Sequence, residues 1–441
     1  MKEFKTLELI AATPSKNDKI RLLKENETPD LKKLLNYTYD RYKTYRVNKV
    51  DKPETYNIIQ PEMGNELFNL LDLLREHKTG SNDAKKLIKS TMSKCTEAGA
   101  KWIERVFKRN LDIGMDEKSI NKAFPDLIPV FDVQLAFPID EHWDSIVYPV
   151  ILDPKLDGMR VITIVKDDKV SFLSREGMEF INMQAFAEEV KSIRPGTNFV
   201  LDGEIYGGKL NPNCKKAVEK VKANKPYKFT QASSMVKDSK TTPQEMRKYL
   251  EYIVWDIIEL DYFESQGKRG TNEECGERRL KLAALFERIG EREFKNVKYL
   301  ENVVAFSREE IITYRDKCIA EGFEGCMIKA VAGSYDFKRS KSVLKFKEFH
   351  TGDFRIKVAI EGTGKYEGML GAVKVEAPGV DSEIGTGFTD DERADLWVEW
   401  LAGRLTGQII EALYQEITSE GALRFSSFLR MRPDKSEPSL Y

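Results

Sequence analysis

The sequence predicts a multidomain fold: an all-α N-terminal domain, an α+β middle domain and a small C-terminal β-barrel. Three observations lead there. Up to about residue 131, apolar residues recur every three or four positions, as helices burying one stripe require. Beyond that come continuous apolar runs bounded by Gly, Asp and Pro, the pattern of buried strands. After about residue 348 the strands shorten and glycine punctuates them, which suits a small closed barrel. The boundaries fall at 1–131, 132–347 and 348–441.

Composition narrows the function. A chain of 441 residues can bury two or three real cores. With 41% hydrophobic and 32% charged residues it reads as soluble and globular. No stretch reaches the apolar length of a membrane span, and the charged start Met1-Lys2-Glu3-Phe4-Lys5 is no signal peptide. A net charge of −1 gives no global sign of nucleic-acid binding, so any such contact needs a local basic surface. Cys95, Cys214, Cys275, Cys318 and Cys326 form no CxxC pair, which argues against a disulfide framework and a zinc site. His77, His142 and His350 lie far apart, so a His-centred triad or an HExxH helix is not expected.

In the N-terminal domain, Ser15 should start a helix carrying Ile20, Leu22 and Leu23. Leu31, Leu34 and Leu35 continue the helical spacing, and Leu67, Leu70, Leu71 and Leu74 form a further stripe ended by Thr79-Gly80. A basic pair of helices follows. Lys85, Lys86, Lys89, Lys94, Lys101, Arg105, Lys108 and Arg109 outnumber the acids, with Leu87, Ile88, Met92, Trp102, Ile103, Val106 and Phe107 as apolar partners. Such a face is either a solvated helix surface or a grip on a phosphate backbone. Pro125, Pro129 and Pro138 mark a linker.

In the middle domain, Ile146 to Leu152 reads as a buried strand that delivers Lys155. Val161–Val165 and Val170–Ser174 flank a hairpin turn. Further strands are expected at Phe199–Leu201, Tyr252–Ile258, Cys326–Lys329 and Ser342–Lys347. The lysine-rich stretch from Gly207 to Leu250 reads as a solvated excursion. In the last domain, strands are expected at Phe354–Ile360, Met369–Val375 and Gln408–Tyr414, with a helix at Trp397–Leu405 and a disordered tail at Ser436–Ser439. The pattern suits an OB-fold.

The chemistry centres on Lys155-Leu156-Asp157-Gly158-Met159-Arg160. A lysine at a strand end becomes a nucleophile when burial and neighbouring cations depress its pKa. In Lys345-Phe346-Lys347 two ammonium groups share one strand face. Two such groups suit a phosphate and would also depress the pKa of Lys155. Glu204 and Glu324 suit a ribose hydroxyl or a hard divalent cation, and Trp255 offers a plane for a purine. Together they describe nucleotidyl transfer to a lysine.

This ordered set resembles the covalent nucleotidyltransferases, specifically the ATP-dependent DNA ligases. Lys155 to Arg160 matches KxDGxR, Ser174-Arg175-Glu176-Gly177 resembles SRxG, and Asp202-Gly203-Glu204 matches DGE. Tyr252 to Asp256 resembles the aromatic-Asp element, Glu324 to Lys329 matches EGxMxK, Lys345-Phe346-Lys347 matches KxK, and Arg432-Pro433-Asp434-Lys435 matches RxDK. The segment Phe107 to Gly114 with Phe124-Pro125 is similar to the helical DNA-binding domain of T-even phage DNA ligases.

The resemblance implies an adenylation domain at 132–347, with Lys155, Asp157 and Arg160 catalytic. Lys155 would take AMP from ATP. Arg160 and Arg175 would sit by the ribose and the nick, Glu204 on the ribose, and Trp255 on adenine. Lys345 and Lys347 would contact the α-phosphate, and Lys329 phosphate or metal-bound water. Arg432, Asp434 and Lys435 would orient the β- and γ-phosphates when the barrel closes. Ser174 and Arg279 are further residues placed near the same pocket. Mg2+, with Mn2+ as an alternative, would be served by Glu204 and Glu324. Nicked duplex DNA would be the partner, gripped by Lys85, Lys86, Lys89, Lys101, Arg105, Lys108 and Arg109. The chain is expected to be a cytoplasmic monomer, in the host cytoplasm if phage-encoded. Many relatives have glutamate where this chain has Asp153, tryptophan where it has Val343, and phenylalanine or tyrosine where it has Trp255. RNA ligases and GTP-using capping enzymes share the lysine motif. The helical domain argues against a capping enzyme, and many RNA ligases lack the terminal barrel. The missing cysteine-ligated zinc module argues against a NAD-using ligase. The retained catalytic residues argue against a purely DNA-binding protein.

Overall fold

The computed structural model describes residues 2–45, 47, 50–56, 64–76, 81–222, 227–289, 295–418 and 420–440. It divides into two compact units, Met1–Phe131 and Asp132–Tyr441.

The first unit is helical: α1 Lys2–Ala12, α2 Lys16–Glu25, α3 Pro29–Tyr39, α4 Gly64–Glu76, α5 Ser81–Ser93, α6 Glu97–Phe107 and α7 Glu117–Ala123. Local chemistry sets the starts. Ser15, Thr28, Thr96 and Asp116 each accept a backbone N–H of the first turn, and Pro29 pre-sets φ at the start of α3. Leu31, Leu34, Leu35, Leu67, Leu70, Leu71, Leu74, Ile88, Ile103 and Val106 meet in one core. Leu87 is a correction: Ala84, Ile88 and Met92 form the buried line of α5, and Leu87 falls off it, exposed. The Thr79-Gly80 stop, and His77, lie outside the described residues.

The second unit carries strands β1 Leu135–Pro138, β2 Val150–Pro154, β3 Met159–Lys166, β4 Lys169–Ser174, β5 Phe199–Gly207, β6 Leu250–Ile258, β7 Val297–Tyr299, β8 Val303–Ala305, β9 Gly325–Ala330 and β10 Arg339–Lys347. There follow β11 His350–Glu361, β12 Leu370–Ala377, β13 Val380–Ile384, β14 Ile409–Tyr414, β15 Glu416–Ile417, β16 Leu423–Arg424, β17 Ser427–Met431 and β18 Ser439–Leu440. One sheet runs β1-β10-β9-β2-β8 and a second runs β4-β3-β5-β6-β7. The third, β13-β12-β11-β14-β17, belongs to the OB-like barrel and has its own core around Phe354, Val373, Ile410 and Phe428.

Four expectations on these elements need correction. The strand before Lys155 begins at Val150, because Pro149 has no N–H for a ladder, and Val147 is 75% exposed. The stretch 207–250 is no solvated excursion. It folds into helices Lys215–Lys222, Lys228–Lys237 and Pro243–Tyr249, and Ala232, Met235, Val236, Met246 and Tyr249 enter the core of the second sheet. Their helical spacing is hidden among lysines. The tail is ordered: Ser439 and Leu440 pair with Asp353 and Gly352, and Arg355 donates to the Ser436 carbonyl at 2.9 Å. The barrel helix also runs earlier than expected, Asp390–Leu401, because Thr389 and Glu392 form a capping box.

Candidate active site

The first two sheets wall a cavity of about 630 Å³. On the cavity face of the first sheet, register stacks three rungs. Ile151 aligns with Lys329 and Val343, Asp153 with Met327 and Lys345, and Lys155 with Gly325 and Lys347. Alternation puts Val150, Leu152, Cys326, Ile328 and Leu344 on the opposite face, in a hydrophobic core. Exposure grades along the rungs, from 1% for the Asp153 side chain to 22% for Lys155.

Lys155 is fixed by its backbone, donating to Gly325 O at 2.9 Å and accepting from Glu324 N at 3.1 Å. Its amine and that of Lys347 meet the same oxygen of Glu324, at 2.7 and 2.9 Å. Gly325 makes this possible: its φ is +129°, and a Cβ there would strike the Phe346 carbonyl. Burial alone would raise the Glu324 pKa, but Lys155 and then Lys347 bring it down to about 2. Lys345 and Lys347 are both lowered, first by burial; the next cause is Lys347 for the former and Lys155 for the latter. Burial and the adjacent Glu324 charge push Asp157 up to about 6, with Arg424 opposing.

The second sheet supplies the other wall. Arg160 on β3 stands opposite Glu204 on β5, and its guanidinium forks onto Asp202 and reaches Gln134 O at 2.6 Å. Tyr335 donates to Asp202 at 2.9 Å. Gly158 donates its N–H to Glu204 at 2.7 Å, and a Cβ at 158 would collide with Glu204 and the Ile205 carbonyl. Burial pushes Glu204 up to about 7, against Lys155 and the Gly158 N–H. Asp202 pairs with Asp256 and Gly203 with Val254, so Trp255 is the extra residue of a β-bulge. The bulge turns it from the sheet core toward Leu156, Tyr206, Ile253 and Leu300.

Of the residues singled out from sequence, Lys155, Arg160, Ser174, Arg175, Glu204, Trp255, Lys329, Lys345 and Lys347 line this cavity. Asp157 and Glu324 adjoin it through their mutual interaction and the Lys155 contact. Lys329 is displaced from the expected phosphate cluster. It lies 5.6 Å from the Trp255 ring centre and pairs with Asp153 at 2.7 Å. Arg279 stands behind the cavity, donating to the Trp255 carbonyl. Arg432 and Lys435 do not line it. Arg432 is bound within the barrel to Asp353 at 3.0 Å and Asp434 at 2.8 Å, and Lys435 lies 3.8 Å from Asp353. The barrel instead presents Gln415 to Lys347 at 3.1 Å and the Phe425 ring at 5.2 Å. Sequence reasoning missed Gln134, Phe180, Phe229 and Arg339 in the lining. It passed over Asp202, whose place beside Gly203-Glu204 was a usable signal.

In the first unit, Lys86, Lys101 and Lys108 are exposed and Lys85 and Lys89 half-buried. Lys89 pairs with Glu54 at 3.2 Å, and Lys108 with Glu104 at 2.7 Å. Arg105 lies over Trp102 and pairs with Asp112 at 3.2 Å. Arg109 is a correction: its guanidinium donates to the carbonyls of Asp40 and Lys43, which makes it a loop anchor.

Among the described residues no three His, Cys, Asp or Glu side chains cluster as a ready metal site, and no helix is long and apolar enough to cross a membrane. Mg2+ in phosphate chemistry usually takes one or two carboxylates and completes its shell with phosphate and water. Glu204 in the lining and Glu324 beside Lys155 are two carboxylates at this cavity.

Comparison with known proteins adds independent findings. A family model for the ATP dependent DNA ligase domain matches residues 137–347, one for the DNA ligase N terminus matches 9–125, and one for the DNA ligase OB-like domain matches 361–432. The DNA ligase of Enterobacteria phage T6 is 26% identical over 389 residues, covering 80% of this chain and 77% of the relative. That of Enterobacteria phage T4 is 25% identical over 390 residues, with the same coverage. The solved structure named Pmar-Lig_Pre. superposes with a TM-score of 0.79 at 26% identity, over 98% of this chain and 99% of that one. A structure from work on Lig E DNA ligases gives a TM-score of 0.51 at 22% identity, over 69% of this chain and 100% of that one, and speaks to the fold alone.

Proposed function

This chain belongs to the ATP-dependent DNA ligases, and from that premise we propose how its residues divide the sealing of nicks in duplex DNA. The observation that carries the proposal is the convergence of Lys155 and Lys347 on one carboxylate oxygen at the open end of the cavity. Two ammonium groups aimed at one point form an anion site. When nucleotide enters, its α-phosphate takes that position and Glu324 yields it.

Lys155 then gives up its ammonium proton to solvent, its free amine attacks the α-phosphorus, the bond to pyrophosphate breaks, and AMP is held on the lysine. Lys345 and Lys347 hold the phosphate oxygens. Trp255 stacks the adenine, Glu204 holds the ribose, and Arg160, itself held by Asp202, marks the ribose edge. Mg2+, bound by Glu204 and Glu324, would offset phosphate charge as pyrophosphate leaves. AMP next passes to the 5′-phosphate of the nick. The 3′-OH then displaces AMP, with Asp157 near that hydroxyl and Arg175 on the nick. The barrel turns between steps, bringing Arg432, Asp434 and Lys435 to the β- and γ-phosphates during adenylation. The exposed lysines of α5 and α6 grip the duplex. The protein works as a cytoplasmic monomer in replication, repair and recombination.

Sealing of a nicked DNA duplex with magnesium and ATP, GTP or NAD tests this reading. Joined product with ATP alone is expected. Joining with GTP or NAD in place of ATP overturns it.

A further inference from the structure

The buried end of the cavity is held by charges that face one another. Asp153 is 1% exposed, and its oxygens meet Lys329 Nζ at 2.7 Å and Arg279 Nη2 at 2.8 Å. Lys329 and Arg279 are 7% and 2% exposed. The same guanidinium donates to the carbonyl of Trp255 and, at 2.7 Å, to that of Leu300. Asp153 and Lys329 belong to β2 and β9 of the first sheet, and Trp255 to β6 of the second. The three charges therefore clasp one cavity wall to the other, behind the aromatic platform.

We propose that Asp153 is a positioning residue: through Lys329 and Arg279 it fixes the spacing between the Lys155 strand and the Trp255 platform, and it does not read the purine 6-amino group. This rests on the nucleotide reading above. Asp153 lies two residues from Lys155, on the same strand face, and lines the cavity with Trp255, so a base amine stacked there is one its carboxylate could meet. Here one oxygen accepts a hydrogen bond from Arg279, and the other, which has no hydrogen bond of its own, faces the Lys329 ammonium as an ion pair at 2.7 Å. Turning either toward a base would strand an ammonium or guanidinium away from water, which is strongly unfavourable. Aspartate is also one methylene shorter than glutamate. That draws the carboxylate back toward its own strand, within reach of Lys329 on the adjacent one.

The test compares ATP with purine riboside triphosphate, which lacks the 6-amino group, in self-adenylation by the wild-type full chain, Asp153→Asn, Lys329→Met and the double variant. Asp153→Asn should raise the KM for both nucleotides about tenfold, with a smaller loss in the saturating rate. The ratio of ATP to purine riboside triphosphate efficiency should stay within about twofold of wild type. Removing both partners is less harmful than stranding one. The double variant should therefore melt higher than Asp153→Asn and match Lys329→Met in KM. Loss of the ATP preference in Asp153→Asn, or additive losses in the double variant, would overturn the proposal. If Asp153→Asn does not fold, Lys329→Met and the double variant still decide: equal KM values support a shared clasp, and a further loss in the double variant contradicts it. A wild-type chain that forms no adduct with ATP overturns the nucleotide reading itself, an outcome distinct from either.

Discussion

Glu204 and Glu324 share one cavity, and their surroundings drive their ionisation apart. Two lysine amines beside Glu324 hold its pKa at about 2, whereas burial pushes Glu204 up to about 7. The sign for Glu204 follows directly. Its folded pKa exceeds the ordinary value of 4.5, so the fold favours the protonated form. Ionisation carries little penalty below pH 4.5, and the penalty builds up between pH 4.5 and about 7 and is fully present above that. Glu204→Gln should therefore stabilise the nucleotide-free protein at pH 8 by on the order of 2 kcal/mol, after allowance for partial exposure, and leave it nearly unchanged at about pH 4. Thermal melts at the two pH values check this; an equal gain at both would contradict the assignment. Lys155, Arg160 and Lys347 were legible because short motifs specify residue types in order. Their counterions were not. Arg160 and Asp202 lie 42 residues apart, and Arg279 and Asp153 lie 126 apart. Such pairings exist only once the sheets have formed.

Strands were legible where alternation or an apolar run was strong, as in the β3-β4 hairpin. Its turn residues Asp167 and Asp168 both adopt positive φ, 49° and 61°, matching a two-residue connection. The bulge that aims Trp255 was not legible, because an extra residue shows only against the partner strand. Nor were the helices of 215–249, whose lysines mask a buried face. In the first unit the same difficulty reverses: a basic face was legible, but which cations are engaged within the chain was not. Arg109 is tied to carbonyls, while Lys101 and Lys108, the latter paired with Glu104, are exposed and lie seven residues apart. Lys101→Glu with Lys108→Glu should weaken nick binding and reduce the magnitude of its salt slope by about 2. Binding titrations across salt concentrations check this, with self-adenylation unaffected. An unchanged slope would mark that face as solvated surface.

At the scale of the whole molecule, the barrel meets the cavity with Gln415 and Phe425, while Arg432 and Lys435 are engaged with its own Asp353. The order of motifs along the chain was legible; the side of the barrel turned to the site was not, since it depends on packing between domains and on the reaction step. Arg432→Ala should slow self-adenylation about a hundredfold and change sealing of pre-adenylated nicked DNA by less than about threefold. Single-turnover assays of the two steps separate these outcomes, and equal loss in both would contradict a turning barrel.

The most direct measurement on the central claim is peptide mapping after incubation of the whole chain with magnesium and ATP, followed by denaturation. The account predicts AMP covalently attached at Lys155 and no adduct in Lys155→Ala. Attachment at another residue, or an adduct that survives Lys155→Ala, would contradict it.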